Sequence, residues 1–179
     1  VGDPTDGALL VAALKFGLTP QSLFAQRPIV HVIPFDSKRK RTTTLHKNGN
    51  KILTYSKGAP RSILSVCDRL AVNGGVKELA GENLRLVEDK IRQLANDGLR
   101  VIAVAYKELP ENVGFKDRDI EKDMVLVGLA GMRDPARPEV EEAVRLAKQA
   151  GIKIVIITGD YGPTAEIIAR EVGIVGAEG

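Results

Sequence analysis

The spacing of apolar and polar residues changes period several times along the chain, and each change marks an element. Ala8 to Phe16 is an apolar run. Asp3 before it can cap a helix, Pro4 suits the first helical position, and Asp6 falls in the electropositive first turn. Gly17 ends the predicted helix. Ile29 to Ile33 alternate in a way suited to a strand, which Pro34 is expected to break. Thr42 to Lys47 and Ile52 to Lys57 read as two strands. Asn48-Gly49 between them is a hairpin signal, because both residues tolerate positive φ. A short helix is predicted over Ala59 to Val66, and Asn73-Gly74-Gly75 marks a turn. Leu84, Val87, Ile91, Leu94 and Ala95 recur at helical spacing, with Gly98 just past the end. Arg100 to Tyr106 and Met124 to Ala130 read as strands, with a polar, irregular stretch between Pro110 and Asp123.

The pattern shifts after Asp134. Pro138 opens a helix with Val140, Ala143, Val144 and Ala147 on one face, stopped by Gly151. Ile152 to Ile157 is a continuous apolar run, which predicts a parallel strand buried on both faces. Pro163 opens a further helix with Ala165, Ile168, Ala169 and Val172 as its stripe. The expected fold is therefore α+β. Residues 1–134 form an antiparallel sheet with flanking helices, and residues 135–179 a fragment of a Rossmann-like α/β domain.

Composition narrows the function classes. Hydrophobic residues make up 44% of the 179, enough for a core, and no run approaches the length of a membrane span. No secretory signal opens the chain, and Val1 in place of Met suggests an excised or processed piece. A net charge of +3 is too small for a dedicated nucleic-acid binder. Cys67 is the single cysteine, read as a small buried hydrophobe, and it and the two histidines have no metal-site spacing, so no protein metal site is expected.

Neither a GxxxxGK[ST] loop nor a GxGxxG after a strand is present, so a bound nucleotide needs another cradle. Phe35 offers one face for a base, and Lys40, Lys57 beside the Gly58 turn, and Arg100 offer cations for a polyphosphate. The plainer readings are that Phe35 is core, that Lys38 to Arg41 is a solvated face, and that Asp6, Asp134 and Asp160 are capping or turn carboxylates.

Six segments in order decide between these readings. Gly2-Asp3-Pro4-Thr5-Asp6-Gly7-Ala8-Leu9, Pro34-Phe35-Asp36-Ser37-Lys38-Arg39-Lys40, Lys57-Gly58-Ala59-Pro60, Gly98-Leu99-Arg100-Val101, Asp134-Pro135-Ala136-Arg137 and Thr158-Gly159-Asp160 resemble the GDPTEGAL, PFDSxRK, KGAP, GLRV, DPPR and TGD segments of P-type cation-transporting ATPases. The variant resembles the type II, calcium-pump-like branch. The resemblance implies a nucleotide-binding domain followed by part of a haloacid-dehalogenase-like phosphorylation domain. It implies ATP, carried with Mg2+, as the ligand. Phe35 would stack on adenine, Lys57 with Gly58 would line the adenine pocket, Lys40 and Arg100 would reach the phosphates, and Asp6 would meet the adenine amino edge. Asp134 to Arg137 would form the hinge. Thr158, Gly159 and Asp160 would support the phosphoryl site.

DKTGT, which carries the family's phosphorylated aspartate, and GDGxNDxP are absent from the 179 residues. The chain alone is therefore expected to bind ATP without hydrolysing it, as a monomer that partners the remaining phosphorylation, actuator and transmembrane domains of a parent pump. Its setting would be the cytoplasmic face of a membrane, with no nucleic-acid partner. Two other readings compete. A haloacid-dehalogenase-like phosphatase fragment lacks its nucleophile motif, and a basic nucleic-acid-binding module lacks interleaved aromatics.

Overall fold

The structure is a computed structural model that describes residues 4–112, 120–133, 136–157 and 162–176. Asp3, Asp134, Pro135, Thr158, Gly159 and Asp160 lie outside the described residues. Contacts divide the chain into two compact units. One comprises residues 1–89 and 101–130, the other residues 90–100 and 131–179.

The elements run α1 (Pro4–Lys15), α2 (Pro20–Gln26), β1 (Ile29–Asp36), β2 (Arg41–Asn48), β3 (Lys51–Gly58), α3 (Pro60–Leu64), β4 (Cys67–Val72), β5 (Gly75–Glu78), α4 (Gly81–Asn96), β6 (Arg100–Pro110), β7 (Met124–Met132), α5 (Pro138–Gln149) and α6 (Gly162–Glu171). Seven strands form one sheet in the order β1-β2-β3-β6-β7-β4-β5. The β1–β2, β2–β3, β3–β6 and β4–β5 pairs are antiparallel. The β4–β7 pair is parallel. The expectation of a purely antiparallel sheet is corrected there, because β7 follows β4 by way of β5, α4 and β6 rather than a hairpin.

The β2–β3 hairpin forms one residue later than the Asn48-Gly49 signal implies. Asn48 pairs with Lys51, leaving Gly49 and Asn50 as the two-residue loop. Gly49 alone takes positive φ, at 61°, the pattern of a turn with glycine at its first central position. The Asn73-Gly74 turn is a second two-residue hairpin loop. Both of its residues have positive φ, at 49° and 79°, and it joins the short strands β4 and β5, which the apolar pattern does not reveal. Helix α2 is likewise absent from that pattern.

Pro34 does not end β1. It sits inside the strand at a register shift between Ile33 and Asp36. A proline lacks the N–H a ladder needs, and β1 tolerates it as an edge strand at an irregularity.

Two apolar clusters hold the first unit. Ile63, Leu79, Ala103, Ala105, Met124 and Leu126 form one, with Leu84 and Val87 of α4 packed against it. Ile33, Leu45, Ile52, Leu109 and Ile120 form the other. Cys67 borders the first cluster on β4, and burial, with a smaller contribution from Asp68, pushes its thiol up to about 12. A thiol so far from ionisation is a packing group rather than a nucleophile.

In the second unit, α5 ends on Gly151, whose φ is 72°, with Ile152 N–H returning to the Ala147 carbonyl at 2.9 Å. The expected strand over Ile152 to Ile157 is not formed. Those residues carry no ladder, and Val155 and Ile157 are 67% and 95% exposed. A strand exists only by hydrogen bonding to a neighbour, and no described strand pairs with this segment.

Candidate functional site

The turn between β1 and β2 is built from its own polar residues. The Asp36 carboxylate accepts the Lys38 and Arg39 amides at 3.0 and 2.8 Å, and its carbonyl accepts the Lys40 amide at 2.6 Å. An aspartate that holds the amides two and three residues ahead closes a turn locally. Lys40 takes a left-handed φ of 52°, unusual for a side-chain-bearing residue. Its carbonyl accepts the Ala59 amide at 3.0 Å, which ties the turn to the end of β3.

Gly58 is required there for space. A Cβ at position 58 would lie 2.7 Å from the Arg41 Cα and closer still to the Lys40 carbonyl oxygen. The missing side chain lets β3 end against the turn, directly beside Lys57. Lys57 in turn makes an ion pair with Asp6 from the first turn of α1, both groups part-exposed. Asp6, Phe35, Lys40, Lys57 and Gly58 therefore come from three separate segments. The Asp6–Lys57 pair, the Gly58–Lys40 approach and the Asp36–Arg41 register bring them to one end of the β1–β2–β3 ladder. Phe35 is 65% exposed, which rules out the core reading for its ring. Among the described residues the Lys40 ammonium has no ion pair.

Arg100 opens β6 and is exposed, and Arg137 is the extended N-cap of α5; both belong to the second unit. Asp134, Thr158, Gly159 and Asp160 fall outside the described residues. A groove of about 480 Å³ in the second unit is lined by Pro138, Glu141, Val144, Arg145, Lys148 and Val172, none of them a site candidate.

Sequence reasoning missed Glu121. It lies in the stretch read as a polar loop, yet its side chain is only 3% exposed. Arg39 Nη1 reaches its Oε1 at 2.6 Å and Arg41 Nη2 its Oε2 at 2.8 Å. The Thr43 hydroxyl donates to the same carboxylate at 2.6 Å, and the Ser56 hydroxyl lies 2.5 Å from Thr43 Oγ1. Burial pushes the Glu121 carboxyl up, but the hydrogen bonds from Arg39, Arg41 and Thr43 and the Arg41 charge outweigh it. The net shift is below the usual carboxylate range. Ile120 beside it, fully buried, was the available signal: an apolar residue abutting a glutamate directly before the Met124 strand.

A carboxyl that ionises more readily folded than unfolded adds stability above the unfolded titration and loses it as pH falls through the folded value. The stability difference between wild type and Glu121→Gln is therefore expected to be largest near neutral pH and to close in acid. Urea unfolding at a series of pH values measures it. A gap that stays constant into acid would contradict the assignment.

Residues 1–139 match the family described as "P-type ATPase, cytoplasmic domain N". Over 99% of its length the chain is 37% identical to a "Calcium-transporting ATPase" of Bacillus subtilis, and covers 20% of that protein. It is 38% identical to "Cation-transporting ATPase pma1" of Synechocystis and 33% identical to "Putative calcium-transporting ATPase 7, plasma membrane-type" of Arabidopsis thaliana, over its whole length in each case. The chain spans about one fifth of the length of these relatives. With more than three quarters of its residues inside the family match, this chain belongs to the P-type ATPase family, residues 1–139 matching its cytoplasmic domain N.

Proposed function

We propose that the chain is the ATP-binding module of a cation-transporting P-type pump, and that the end of the β1–β2–β3 ladder is where it holds the nucleotide. The observation that carries this reading is the exposed Phe35 ring beside a turn that also presents the exposed Lys40 ammonium, which has no ion pair among the described residues. An aromatic face and a free ammonium suit a base and a polyphosphate. Lys57 and Gly58 would line the base pocket. The Lys57 ammonium is already neutralised by Asp6, so this part of the pocket favours a neutral base over a phosphate, and the Asp6 carboxylate is free to accept from an exocyclic amine. Lys40 would take the phosphates, and Arg100, in the second unit, keeps the phosphate role that the resemblance implies for it.

ATP would arrive with Mg2+, which screens the phosphates. The module's contribution is positioning: it grips the base end and presents the γ-phosphate to an aspartate elsewhere in the parent. The hinge would lie at Asp134 to Arg137, with residues 135–179 beginning a Rossmann-like phosphorylation domain. The exposed apolar run at 152–157 supports that last point, since such a run is expected to be covered by neighbouring strands. Thr158, Gly159 and Asp160 would then serve the phosphoryl site. Transport of a cation, calcium being named for several relatives, would be the work of the whole pump at a membrane.

Titration of the chain with ATP, with and without Mg2+, followed by amide chemical shifts, tests the reading. Saturable shifts are expected around Phe35, Lys40 and Lys57. Phe35→Ala is expected to weaken ATP by about 1–3 kcal/mol, the range for a base stacked on an aromatic ring. Because the ring is 65% exposed, the same change should leave the unfolding midpoint nearly unmoved. A folded wild type with no saturable shift would overturn the proposal.

A further inference from the structure

Resting on that reading, we propose that Arg39 and Glu121 form a positioning clamp for the nucleotide-contacting turn, and that Arg39 and Arg41 are committed to the fold, leaving the ligand's phosphates to the lysines of the basic run. Four consecutive cations, Lys38 to Arg41, read from sequence as a single run, a solvated face or a phosphate-contacting patch. The structure divides them by residue type. Both arginines turn inward to a single buried carboxylate. Lys38 and Lys40 are exposed.

The division follows from side-chain chemistry. A guanidinium carries several donors in a fixed plane, so one group can bridge two acceptors at set positions, which an ammonium cannot do with the same geometry. Arg39 uses Nη1 on Glu121 and Nη2 on the Pro34 carbonyl, each at 2.6 Å. That bond pins the peptide immediately before Phe35. The Arg39 carbonyl accepts the Ser62 hydroxyl, and Arg41 Nη1 reaches Ser62 Oγ at 3.1 Å. Asp36 holds the amides of Lys38 and Arg39, and Ala59 holds the Lys40 carbonyl. The backbone from Pro34 to Lys40 is thus tied at Pro34, Asp36, Arg39 and Lys40. The Phe35 ring and the Lys40 ammonium project from it. Ordering these groups before the ligand arrives removes that cost from binding.

A positioning role and a direct phosphate contact by Arg39 differ in what they do to a ligand without phosphates. The experiment compares ATP and adenosine binding to wild type, Phe35→Ala, Arg39→Gln and Arg39→Lys, with amide order parameters for residues 35–40. Arg39→Gln leaves the Arg41–Glu121 pair and the Thr43 bond in place. It is expected to weaken ATP and adenosine alike, by about tenfold, because the misplaced Phe35 serves both ligands. Turn amides are expected to fall from about 0.85 towards 0.6 in the free protein, and Arg39→Lys to recover only part of the loss. If Arg39→Gln does not fold, Arg39→Lys, which keeps a cation opposite Glu121 but cannot bridge Glu121 and the Pro34 carbonyl with the same geometry, carries the same comparison. ATP weakened with adenosine unchanged would mean that Arg39 touches phosphate, and would overturn the clamp. Phe35→Ala weakened with Arg39→Gln like wild type would overturn the clamp alone. A wild type that binds neither ligand would overturn the nucleotide reading, and the clamp with it.

Discussion

Replacing Glu121 with alanine is expected to lower the unfolding free energy by about 3–5 kcal/mol, the loss found when one partner of a buried ion pair is removed. The carboxylate is 3% exposed and takes hydrogen bonds from Arg39, Arg41 and Thr43. Its removal strands two guanidinium groups against a site built for negative charge. Arg41, 13% exposed, suffers more than Arg39, 26% exposed, which can turn towards water. That difference places the expected loss at the lower end of the range. The loss would still be a large share of the total, since domains of this kind are stable by about 5–15 kcal/mol. The Lys51–Glu108 pair supplies the contrast. Its side chains are 60% and 47% exposed, and Glu108→Ala should cost about 0–1 kcal/mol. Urea unfolding of the three proteins measures both. Equal effects at Glu121 and Glu108 would show that the inward pair does not hold the turn.

Gly58→Ala is expected to be the most damaging single methyl group in the candidate site. Overpacking costs about 1–3 kcal/mol where side chains can adjust. At position 58 the obstructing atoms are backbone, the Lys40 carbonyl oxygen and the Arg41 Cα. Neither can retreat without losing the Ala59 N–H bond to Lys40 or the pairing of Arg41 with Gly58. The loss should therefore reach the top of that range. ATP affinity should fall with it, because Lys57 and Lys40 are carried by the two segments forced apart. Gly131→Ala is the matched control. There the nearest atom is Leu99 Cδ1 at 2.8 Å, the end of a flexible side chain that can swing aside. Thermal unfolding and an ATP titration of both variants separate the cases. A Gly58→Ala protein as stable and as tight-binding as the Gly131→Ala protein would refute the close-approach argument.

How much of this was legible beforehand varied with the range of the interaction responsible. Helices α1, α4 and α5, the β2–β3 hairpin and β7 follow from periodicity and turn chemistry, all local properties. Strands β4 and β5 did not, because Cys67 to Glu78 lacks clear alternation and is held by pairing with β7 and by its own Asn-Gly turn. The roles of the candidate residues Asp6, Phe35, Lys40, Lys57 and Gly58 were decided by resemblance. Nothing in their spacing said that Asp6 pairs with Lys57, or that Gly58 is there for the Lys40 carbonyl. Glu121 was missed because a charged residue in a polar stretch gives no local sign of burial.

By itself the sequence determined the α+β character, the positions of most helices and turns, and membership of the P-type ATPase family through six ordered segments. Those depend on residue type and short-range geometry. The tertiary structure alone decided that the Phe35 ring faces outward, that the four-cation run splits into two inward arginines and two outward lysines, and that residues 152–157 carry no strand. The second depends on a partner distant in sequence, a carboxylate about eighty residues from Arg39 and Arg41, and the third on a neighbouring strand that is not found among the described residues.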